Sequence, residues 1–336
     1  MDLITQGLAG AALAAAAAPA SQLRRVAVIG AVAGMLPDAD ILIRAADDPL
    51  FNLEYHRHFS HALVSVPVGA LLVALAFWPF LRGRLGLFEI WAFAAVGMLS
   101  AGLLDACTSF GTHLLWPFSD DRIAWNLIAI IDPLFSLVLA AGLVLAWRRK
   151  SAIAARAGLG LAMLYLGLAL VQQQRAENAI IELARERGHA IERLEVKPTL
   201  GNIILWRGVY LAEDRFHVAA VRTGLSGVQI YEGSAVPRFR ADLQASLPPE
   251  SVQARDIARF ARLSDDYLVL HPQRPEIIGD LRYAMLPNGT APLWGIAIDP
   301  DHPDRHVEFV TLRNAGPDVR RKFLAMLRGA APGTTL

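Results

Sequence analysis

Apolar residues dominate the first half of this 336-residue chain, whereas the second half mixes apolar and charged residues. Four apolar runs in the first half are long enough to cross about 30 Å of hydrocarbon, which needs roughly 20 apolar residues. These runs are 62–81, 87–106, 127–147 and 152–171. Two shorter runs rich in Ala and Gly, 3–18 and 26–36, predict a hairpin of short helices packed closely through small side chains. The pattern therefore predicts a membrane domain of about six helices over residues 1–171.

Charges return at the density of soluble proteins after Val171, and residues 172–336 predict a soluble α+β domain. A helix over about 172–188 is expected to continue from the last apolar run. Short runs rich in β-branched and aromatic residues then predict strands. They are NIILWRGVYL, RFHVAAVRTG, DDYLVLH and LWGIAID. One or two helices are expected between 238 and 264, and a terminal helix near 317–328.

Composition and charge narrow the class of protein further. Hydrophobic residues make up 54% of the chain and charged residues 19%, a balance that favours a membrane protein. The net charge of +1 comes without a basic stripe, so no nucleic-acid partner is expected. Cys107 is the single cysteine, which excludes a disulfide framework within the chain and a zinc site built from cysteines.

Basic residues predict the orientation in the membrane. Seven of them, with no acids among them, lie in three polar stretches between the apolar runs. They are Arg24, Arg25, Arg82, Arg84, Arg148, Arg149 and Lys150. If all six runs cross or enter the membrane, these stretches share one face, which the positive-inside rule makes cytoplasmic. The N-terminus, the loops 37–60 and 107–126 and the C-terminal domain are then expected on the outer side.

Ionisable side chains gather where the apolar runs meet this outer face. They are Asp38 and Asp40 in LPDAD, His56, Arg57, His58 and His61 in HRHFSH, Asp105 and His113 around the end of run 87–106, and Asp132 in IIDP. An ionisable group placed mid-membrane without a partner costs roughly 2.5 to 3.5 kcal/mol. A shared divalent cation would compensate several of these groups together. Carboxylate oxygens and neutral imidazole nitrogens suit zinc, or manganese where oxygens dominate.

Each of these residues also has a structural interpretation. Asp38 or Asp40 alone is typical of a helix cap after proline, and the histidines can face lipid headgroups or backbone groups. Asp105 can pair with Arg122, and Asp132 can satisfy backbone groups freed by the proline that follows it. Both interpretations stay open for each residue alone, but the arrival of all of them on one face favours a shared metal site.

Five motifs in residues 1–150 carry a family resemblance. In order, they are MDLITQGLAGAALA, LPDADILI, HRHFSHAL, LLDACTSFGTHLLWPFSDDR and IIDPLFSL. In these motifs, the sequence resembles the membrane-bound metal-dependent hydrolase family that is typified by YdjM-like, LexA-regulated inner-membrane proteins. That family is distantly similar to zinc-dependent phospholipase C and S1/P1 nucleases. The resemblance implies a multi-pass protein of the bacterial inner membrane, with the outer side periplasmic, and hydrolysis of a phosphoester by a metal-activated water. By motif position it implies ligand roles for Asp38, Asp40, His56, His61 and Asp105.

One position departs from the family pattern. The family has a histidine one helical turn before the aspartate at position 105, on the same helix face, and this chain has Ala101. His113 or His58 can replace the missing ligand. Alternatively, the site has lost a metal, and the protein is a binding or regulatory relative without turnover.

The leading hypothesis is a metal-dependent hydrolase whose site lies at the outer membrane–water boundary, where lipid or lipid-linked substrates are accessible. The metal, zinc or alternatively manganese, would be held by residues from Asp38, Asp40, His56, His61, Asp105 and His113. Arg57 would offset charge on the phosphoryl oxygens of the substrate, and His58 and Asp132 complete the candidate catalytic set.

Two rival hypotheses remain. The first is a non-catalytic membrane module with a degenerate metal site, whose soluble domain binds a partner in the cell envelope. The second is a small transporter that uses the acids and histidines as a proton path. The transporter is disfavoured because the ionisable groups gather at one boundary, whereas a proton relay distributes them across the bilayer.

Overall fold

The computed structural model describes residues 1–225, 227–240, 247–313 and 315–331, which form two compact units. The first unit comprises Met1–Ile43, Tyr55–Val171 and Leu200–Ile203. The second comprises Arg44–Glu54, Gln172–Thr199 and the described residues from Ile204 onward. One long helix continues from the first unit into the second, and the short segment 44–54 joins the second unit although it lies within the apolar half of the sequence.

The first unit is helical. Its helices are α1 (Leu3–Ala17), α2 (Leu23–Met35), α4 (Val66–Leu81), α5 (Leu87–Ala106), α6 (Pro133–Arg149) and the first part of α7 (Ala152–Glu186). The short helix α3 (Phe51–Tyr55) lies between α2 and α4 in the sequence, and its residues up to Glu54 belong to the second unit. Arg24 and Arg25 lie in the first turn of α2, because that helix begins three residues earlier than its apolar run.

Small residues let α1, α2 and α5 pack with their backbones in close approach. A Cβ atom on Gly10 would lie 2.2 Å from the carbonyl oxygen of Gly30, and a Cβ on Gly97 would lie 2.5 Å from the same oxygen. No side chain larger than hydrogen fits at such distances. The predicted hairpin of short helices is therefore confirmed, with α5 packed against it.

Within the described ranges, three helices are long and apolar enough to cross a membrane: Leu63–Leu81, Leu87–Ala106 and Ala152–Glu186. The predicted run 127–147 differs, because its helix, α6, begins only at Pro133 and has 17 residues. At 1.5 Å per residue it is about 25 Å long. Proline favours the first turn of a helix, since it has no N–H to donate, and Ile128 instead forms a β-bridge with Thr108.

The second unit is α+β, as predicted from its pattern. One antiparallel sheet has the order β1 (Arg193–Pro198), β2 (Leu205–Ala212), β3 (Arg215–Thr223) and β4 (Val228–Pro237). A second antiparallel sheet has the order β5 (Leu268–His271), β6 (Arg274–Asp280), β7 (Trp294–Ala297) and β8 (Glu308–Thr311). The helices α8 (Val252–Leu263) and α9 (Pro317–Arg328) complete the unit. Of the helical region expected at 238–264, residues 241–246 lie outside the described residues.

Local sequence explains the first sheet. β2 is buried along its whole length, which matches its nearly continuous apolar run. Glu213 and Asp214 connect β2 to β3 with positive φ angles of 53° and 58°, the conformation of a two-residue hairpin turn that follows the twist of the strands. Trp206 is fully buried, and its indole N–H donates to Thr223 Oγ1 at 3.1 Å.

Candidate metal centre

Three turns in the first unit bring the polar motifs together. α2 runs directly into a 3-10 helix, Leu36–Leu42, which contains Asp38 in its first turn. A second 3-10 turn, Phe59–His61, precedes α4, and α5 carries Asp105 in its last turn. Motifs that are distant in the sequence therefore meet where these elements end.

Asp38, His61 and Asp105 form the centre of this cluster. Each offers one ligand atom, and the three atoms lie within 4.8 Å of one another. Nε2 of His61 is 2.9 Å from Oδ2 of Asp105 and 3.4 Å from Oδ1 of Asp38. Ligands that share a tetrahedral zinc ion lie roughly 3.3 Å apart, so both separations fit one small divalent ion. The side chain of Asp38 is 14% exposed and those of the other two are buried, which makes Asp38 the accessible member.

A hydrogen-bonded chain fixes the orientation of the His61 ring. Ser60 Oγ donates to Asp40 Oδ2 at 2.6 Å, because an ionised carboxylate only accepts. The same hydroxyl oxygen, 3.0 Å from Nδ1 of His61, therefore accepts the Nδ1 proton. Nε2 is the ring atom that faces the two carboxylates, and no hydrogen-bond partner is aligned with it among the described residues. In the neutral ring, the Nε2 lone pair would point at carboxylate oxygens, an arrangement that a cation between them stabilises.

The surrounding acids favour a positive charge at this position. Burial alone lowers the pKa of His61, but its interactions with Asp105, Asp38 and Asp40 outweigh burial and raise the pKa to about 10. The site therefore stabilises a positive charge next to Nε2, and either a proton or a metal ion supplies it.

Asp40 and His56, two of the predicted ligands, lie behind His61 and not in the three-residue group. Asp40 Oδ1 is 2.8 Å from Nδ1 of His56, and Oδ2 accepts from the backbone N–H of Arg57 at 2.9 Å as well as from Ser60. Burial raises the pKa of this carboxyl, but these donors outweigh it and hold the pKa well below its usual range. Because both oxygens of Asp40 already accept hydrogen bonds, its position suits the support of His61 better than metal ligation.

Arg57 takes a different position from the predicted one. The residue has a positive φ of 60°, and its side chain is 2% exposed. Nε lies 3.2 Å from Asp105 Oδ2, Nη2 donates to Met1 O at 3.1 Å, and Nη1 donates to Thr108 Oγ1 at 3.3 Å. The guanidinium is thus directed at Asp105 and the backbone, where it offsets a buried negative charge, and a substrate oxygen would need to displace one of these partners.

Asp105 is fully buried and has further polar neighbours. The amino nitrogen of Met1 contacts Oδ1, and Gln6 Nε2 donates to Oδ2 at 3.1 Å. Arg122, the alternative partner of Asp105, has its guanidinium over the Phe110 ring, 4.4 Å from its centroid, and Nη1 donates to the Phe110 carbonyl at 3.4 Å. An aspartate at the C-terminal end of a helix opposes the helix dipole, and the Arg57 guanidinium together with the hydrogen bond from Gln6 offsets the cost of this position.

His58 and His113 pair with each other. Their ring centroids are 4.4 Å apart, and the Trp116 ring is 5.7 Å from His58. Burial, together with the charges of Arg122 and His58, lowers the pKa of His113 to about 4. Neither residue belongs to the group formed by Asp38, His61 and Asp105. The structure therefore does not bring these two candidates into the three-residue group.

Asp132 has its own partners at the start of α6. Oδ1 accepts from the backbone N–H of Phe135 at 3.1 Å, and Oδ2 accepts from the Tyr165 hydroxyl at 2.8 Å. This is the helix-capping role that the sequence left open, and it satisfies backbone groups at the proline-led N-terminus. Asp132 is not part of the three-residue group.

Two residues of the centre carried no functional prediction. Ser60 links Asp40 to His61. Its position as the only hydroxyl residue within HRHFSH could have indicated this role. Gly102 lies on α5 close to His61: a Cβ atom there would lie 2.4 Å from the His61 carbonyl oxygen. Sequence alone does not distinguish this glycine from the others of the apolar run. Ala101, where the resemblance implies a histidine, is fully buried one turn before Asp105.

Comparison with known proteins places this helical unit in a family. Residues 1–176, more than half of the chain, match the family described as YdjM inner membrane protein. Inner membrane protein YbcI of Escherichia coli (strain K12) is 36% identical over 110 residues, which cover 32% of this chain and 62% of that protein. The match thus spans less than two thirds of the relative's length. No solved structure matches the chain.

These matches and the three membrane-length helices agree on location. The matched family and the relative are both described as inner membrane proteins. The expected location in the bacterial inner membrane is therefore confirmed, and with it the resemblance to YdjM-like proteins. The chain belongs to the YdjM inner membrane protein family.

Proposed function

We propose that Asp38, His61 and Asp105 bind one divalent metal ion and that the protein is a metal-dependent hydrolase of the inner membrane. The observation that carries the proposal is the position of His61 Nε2, which faces two carboxylates while Nδ1 is held by Ser60. One imidazole nitrogen and two carboxylate oxygens suit zinc, with manganese as the alternative. Three protein ligands with a fourth position open are typical of catalytic zinc sites.

The chemistry follows from the residues around this centre. A bound divalent ion lowers the pKa of a water ligand towards neutrality. Asp38, the exposed member of the group, marks the side on which a substrate approaches. Asp40 and Ser60 hold His61 in one tautomer and orientation, which raises its basicity as a ligand. Arg57 and Gln6 fix Asp105 and offset its charge, so they position a ligand and do not touch the substrate.

The substrate class follows from location. We propose a phosphoester of a lipid or lipid-linked molecule, with the site and the C-terminal domain on the periplasmic side. The centre forms where α2 and α5 end and where α1 begins, whereas Arg82 and Arg84 follow the C-terminal end of α4 and the basic cluster 148–150 lies at the C-terminal end of α6. This separation supports the orientation, because basic loops stay in the cytoplasm.

Elemental analysis of the detergent-purified full-length chain tests the proposal. We expect about one zinc or manganese ion per chain in the wild type and a loss of it in His61→Ala, together with loss of hydrolysis of bis(p-nitrophenyl) phosphate. His302→Ala, which changes a half-exposed histidine of the second unit, is the matched control and is expected to keep both. Wild type without stoichiometric metal, or His61→Ala with unchanged hydrolysis, would contradict the proposal.

A second candidate function is a non-catalytic membrane module. Its support is that a positive group, the Arg57 guanidinium, already lies against Asp105, while Ala101 stands where the resemblance implies a histidine. Chelation separates the two candidates, because a module without a metal keeps its thermal stability after EDTA treatment. An Ala101→His variant that gains metal or hydrolysis would identify the wild type as the degenerate form.

A further inference from the structure

The chain leaves the first unit between two of the motifs that build the candidate metal centre. Residues Arg44–Glu54, here called the strap, belong to the second unit, although Ile43 before them and Tyr55 after them belong to the first. Asp40 lies shortly before the strap, and His56 lies shortly after it. The strap is therefore a direct covalent link between the second unit and both motifs.

An apolar anchor holds the strap within the second unit. Leu50 is fully buried in the core that the second sheet forms with α8, where Ile257, Phe260 and Ile278 belong to the same cluster. Leu53 packs against this cluster as well. Burying a leucine side chain contributes about 1.5 to 3 kcal/mol. The strap is thus part of the core of the second unit.

A polar anchor surrounds Arg259 of α8. Its guanidinium forms a two-point contact with Glu54, at 2.9 and 2.7 Å, and another with Asp48, at 3.1 and 2.7 Å. A fifth contact, at 3.1 Å, reaches Asp256, whose second oxygen accepts from the Val307 N–H. Two-point contacts between arginine and carboxylates fix geometry as well as charge. The one side chain therefore ties the middle and the C-terminal end of the strap to α8.

This arrangement differs from an ordinary surface ion pair. An exposed pair holds two flexible side chains in water and contributes about 0 to 1 kcal/mol. The side chains of Arg259, Asp48 and Glu54 are only 19%, 24% and 25% exposed. Five contacts converge on one rigid guanidinium, so the strap has a defined position.

The residues before and after the strap are also held together at the candidate metal centre. Asp40 binds both the His56 ring and the Arg57 N–H, so the residues on either side of the strap meet at one carboxylate. A shift of the strap would disturb these contacts of Asp40 with His56 and Arg57, and Asp40 in turn orients His61 through Ser60.

We propose that the second unit positions His61 through the strap, with Arg259 as a positioning residue for the metal centre. Ligand binding or substitution in the second unit would then change metal affinity in the first. This inference rests on the proposed metal site, and it gives the C-terminal domain a regulatory role over that site.

The test compares Arg259→Gln with wild type, both as full-length chains in detergent. We expect zinc affinity, measured by competition with a chelator, to fall about 10-fold, in the range seen when groups that support metal ligands are removed. Amide hydrogen exchange of residues 55–61 in the metal-free protein is expected to accelerate, while that of β2 and β3 stays unchanged. Arg259→Lys, which keeps the charge without the planar fork, is expected to lie between the two. Arg240→Gln, which removes a half-exposed pair with Asp214, is the matched control.

The outcomes are separable. If the wild type binds no zinc, the proposed metal site is contradicted. Faster amide exchange at residues 55–61 in Arg259→Gln would still support the proposal that the strap positions His61. Wild-type zinc affinity together with wild-type exchange in Arg259→Gln overturns the strap proposal and leaves the metal site standing. If Arg259→Gln unfolds the second unit, seen as fast exchange of β2 and β3, the double variant Asp48→Asn/Glu54→Gln repeats the test with the Arg259–Asp256 contact in place.

Discussion

Two polar clusters of this protein each place three carboxylates around one basic side chain, but they differ in how that side chain is hydrogen-bonded. Around His61 lie Asp38, Asp40 and Asp105, and around Arg259 lie Asp48, Glu54 and Asp256. The guanidinium of Arg259 meets every carboxylate with a directed hydrogen bond. The imidazole of His61 has an aligned hydrogen bond at Nδ1 alone, whereas Nε2 lies close to two carboxylates without an aligned hydrogen bond in the described part of the chain.

The comparison separates structural from chemical clusters. A buried polar network in which every member is satisfied rigidifies a fold, and the Arg259 cluster does so for the strap. A buried polar atom without a partner needs an explanation, such as an ion or a catalytic role. This difference supports the proposal that the acids around His61 bind a cation, although the two clusters have similar composition.

The largest expected effect comes from removing Asp105. Asp105→Ala leaves the buried Arg57 guanidinium without its carboxylate, and breaking a buried ion pair in this way costs about 3 to 5 kcal/mol. We expect a large drop in the thermal unfolding temperature and no metal binding. Asp121→Ala, at an exposed loop position, is the control. Wild-type thermal stability in Asp105→Ala would show that Arg57 has other adequate partners.

A smaller effect is expected from crowding the His61 backbone. Gly102→Ala places a methyl group against the His61 carbonyl, and overpacking of this kind costs about 1 to 3 kcal/mol. Metal affinity is expected to fall with it. Gly167→Ala on α7, where no atom lies within 4 Å of the added Cβ, is expected to stabilise the chain slightly through helix propensity. Equal unfolding temperatures for the two variants would refute the close approach.

Removing the Ser60 hydroxyl tests how much a single hydrogen bond contributes to the His61 cluster. Ser60→Ala removes the acceptor for His61 Nδ1 while leaving all three proposed ligands. We expect metal affinity to fall about 10- to 100-fold, as for other groups that orient ligands, with little change in thermal stability. Ser60→Thr keeps the hydroxyl and is expected to bind metal nearly as wild type does. Unchanged affinity in Ser60→Ala would mean that the ring is oriented by packing.

The smallest effect concerns pH and the Arg259 cluster. Burial opposes ionisation of Asp48, but hydrogen bonds from Arg259 and the Leu50 N–H outweigh it and lower the pKa of this carboxyl. Because the folded pKa lies below the unfolded one, the stabilisation is present above about pH 4 and is lost as the pH falls through the folded value. Asp48→Asn is therefore expected to unfold more easily than wild type by about 1 kcal/mol or less at pH 7. The difference should shrink as the pH falls below about 4 in denaturant titrations, and a constant difference would exclude an ionic origin.

Much of the fold could be predicted from the pattern because apolar length and periodicity are local properties. The runs 87–106 and 152–171 became helices, and the terminal helix falls at Pro317–Arg328. The predicted run 127–147 starts before its helix does, because hydropathy alone does not show that Asp132 and Pro133 form the N-terminus of that helix. The strap was not indicated by any pattern, since Leu50 looks like an ordinary loop residue until the core of the second sheet surrounds it.

For the candidate centre, the sequence by itself determined which residue types are available and where the motifs lie, since acids and histidines beside apolar runs are visible without coordinates. Only the tertiary structure decided their division of labour. It placed Asp38, His61 and Asp105 around one point, Asp40 and Ser60 behind the His61 ring, and Arg57 against Asp105. The physical reason is that ligation and hydrogen bonding depend on the direction of individual lone pairs and N–H bonds, and those directions are set by how separate helices pack.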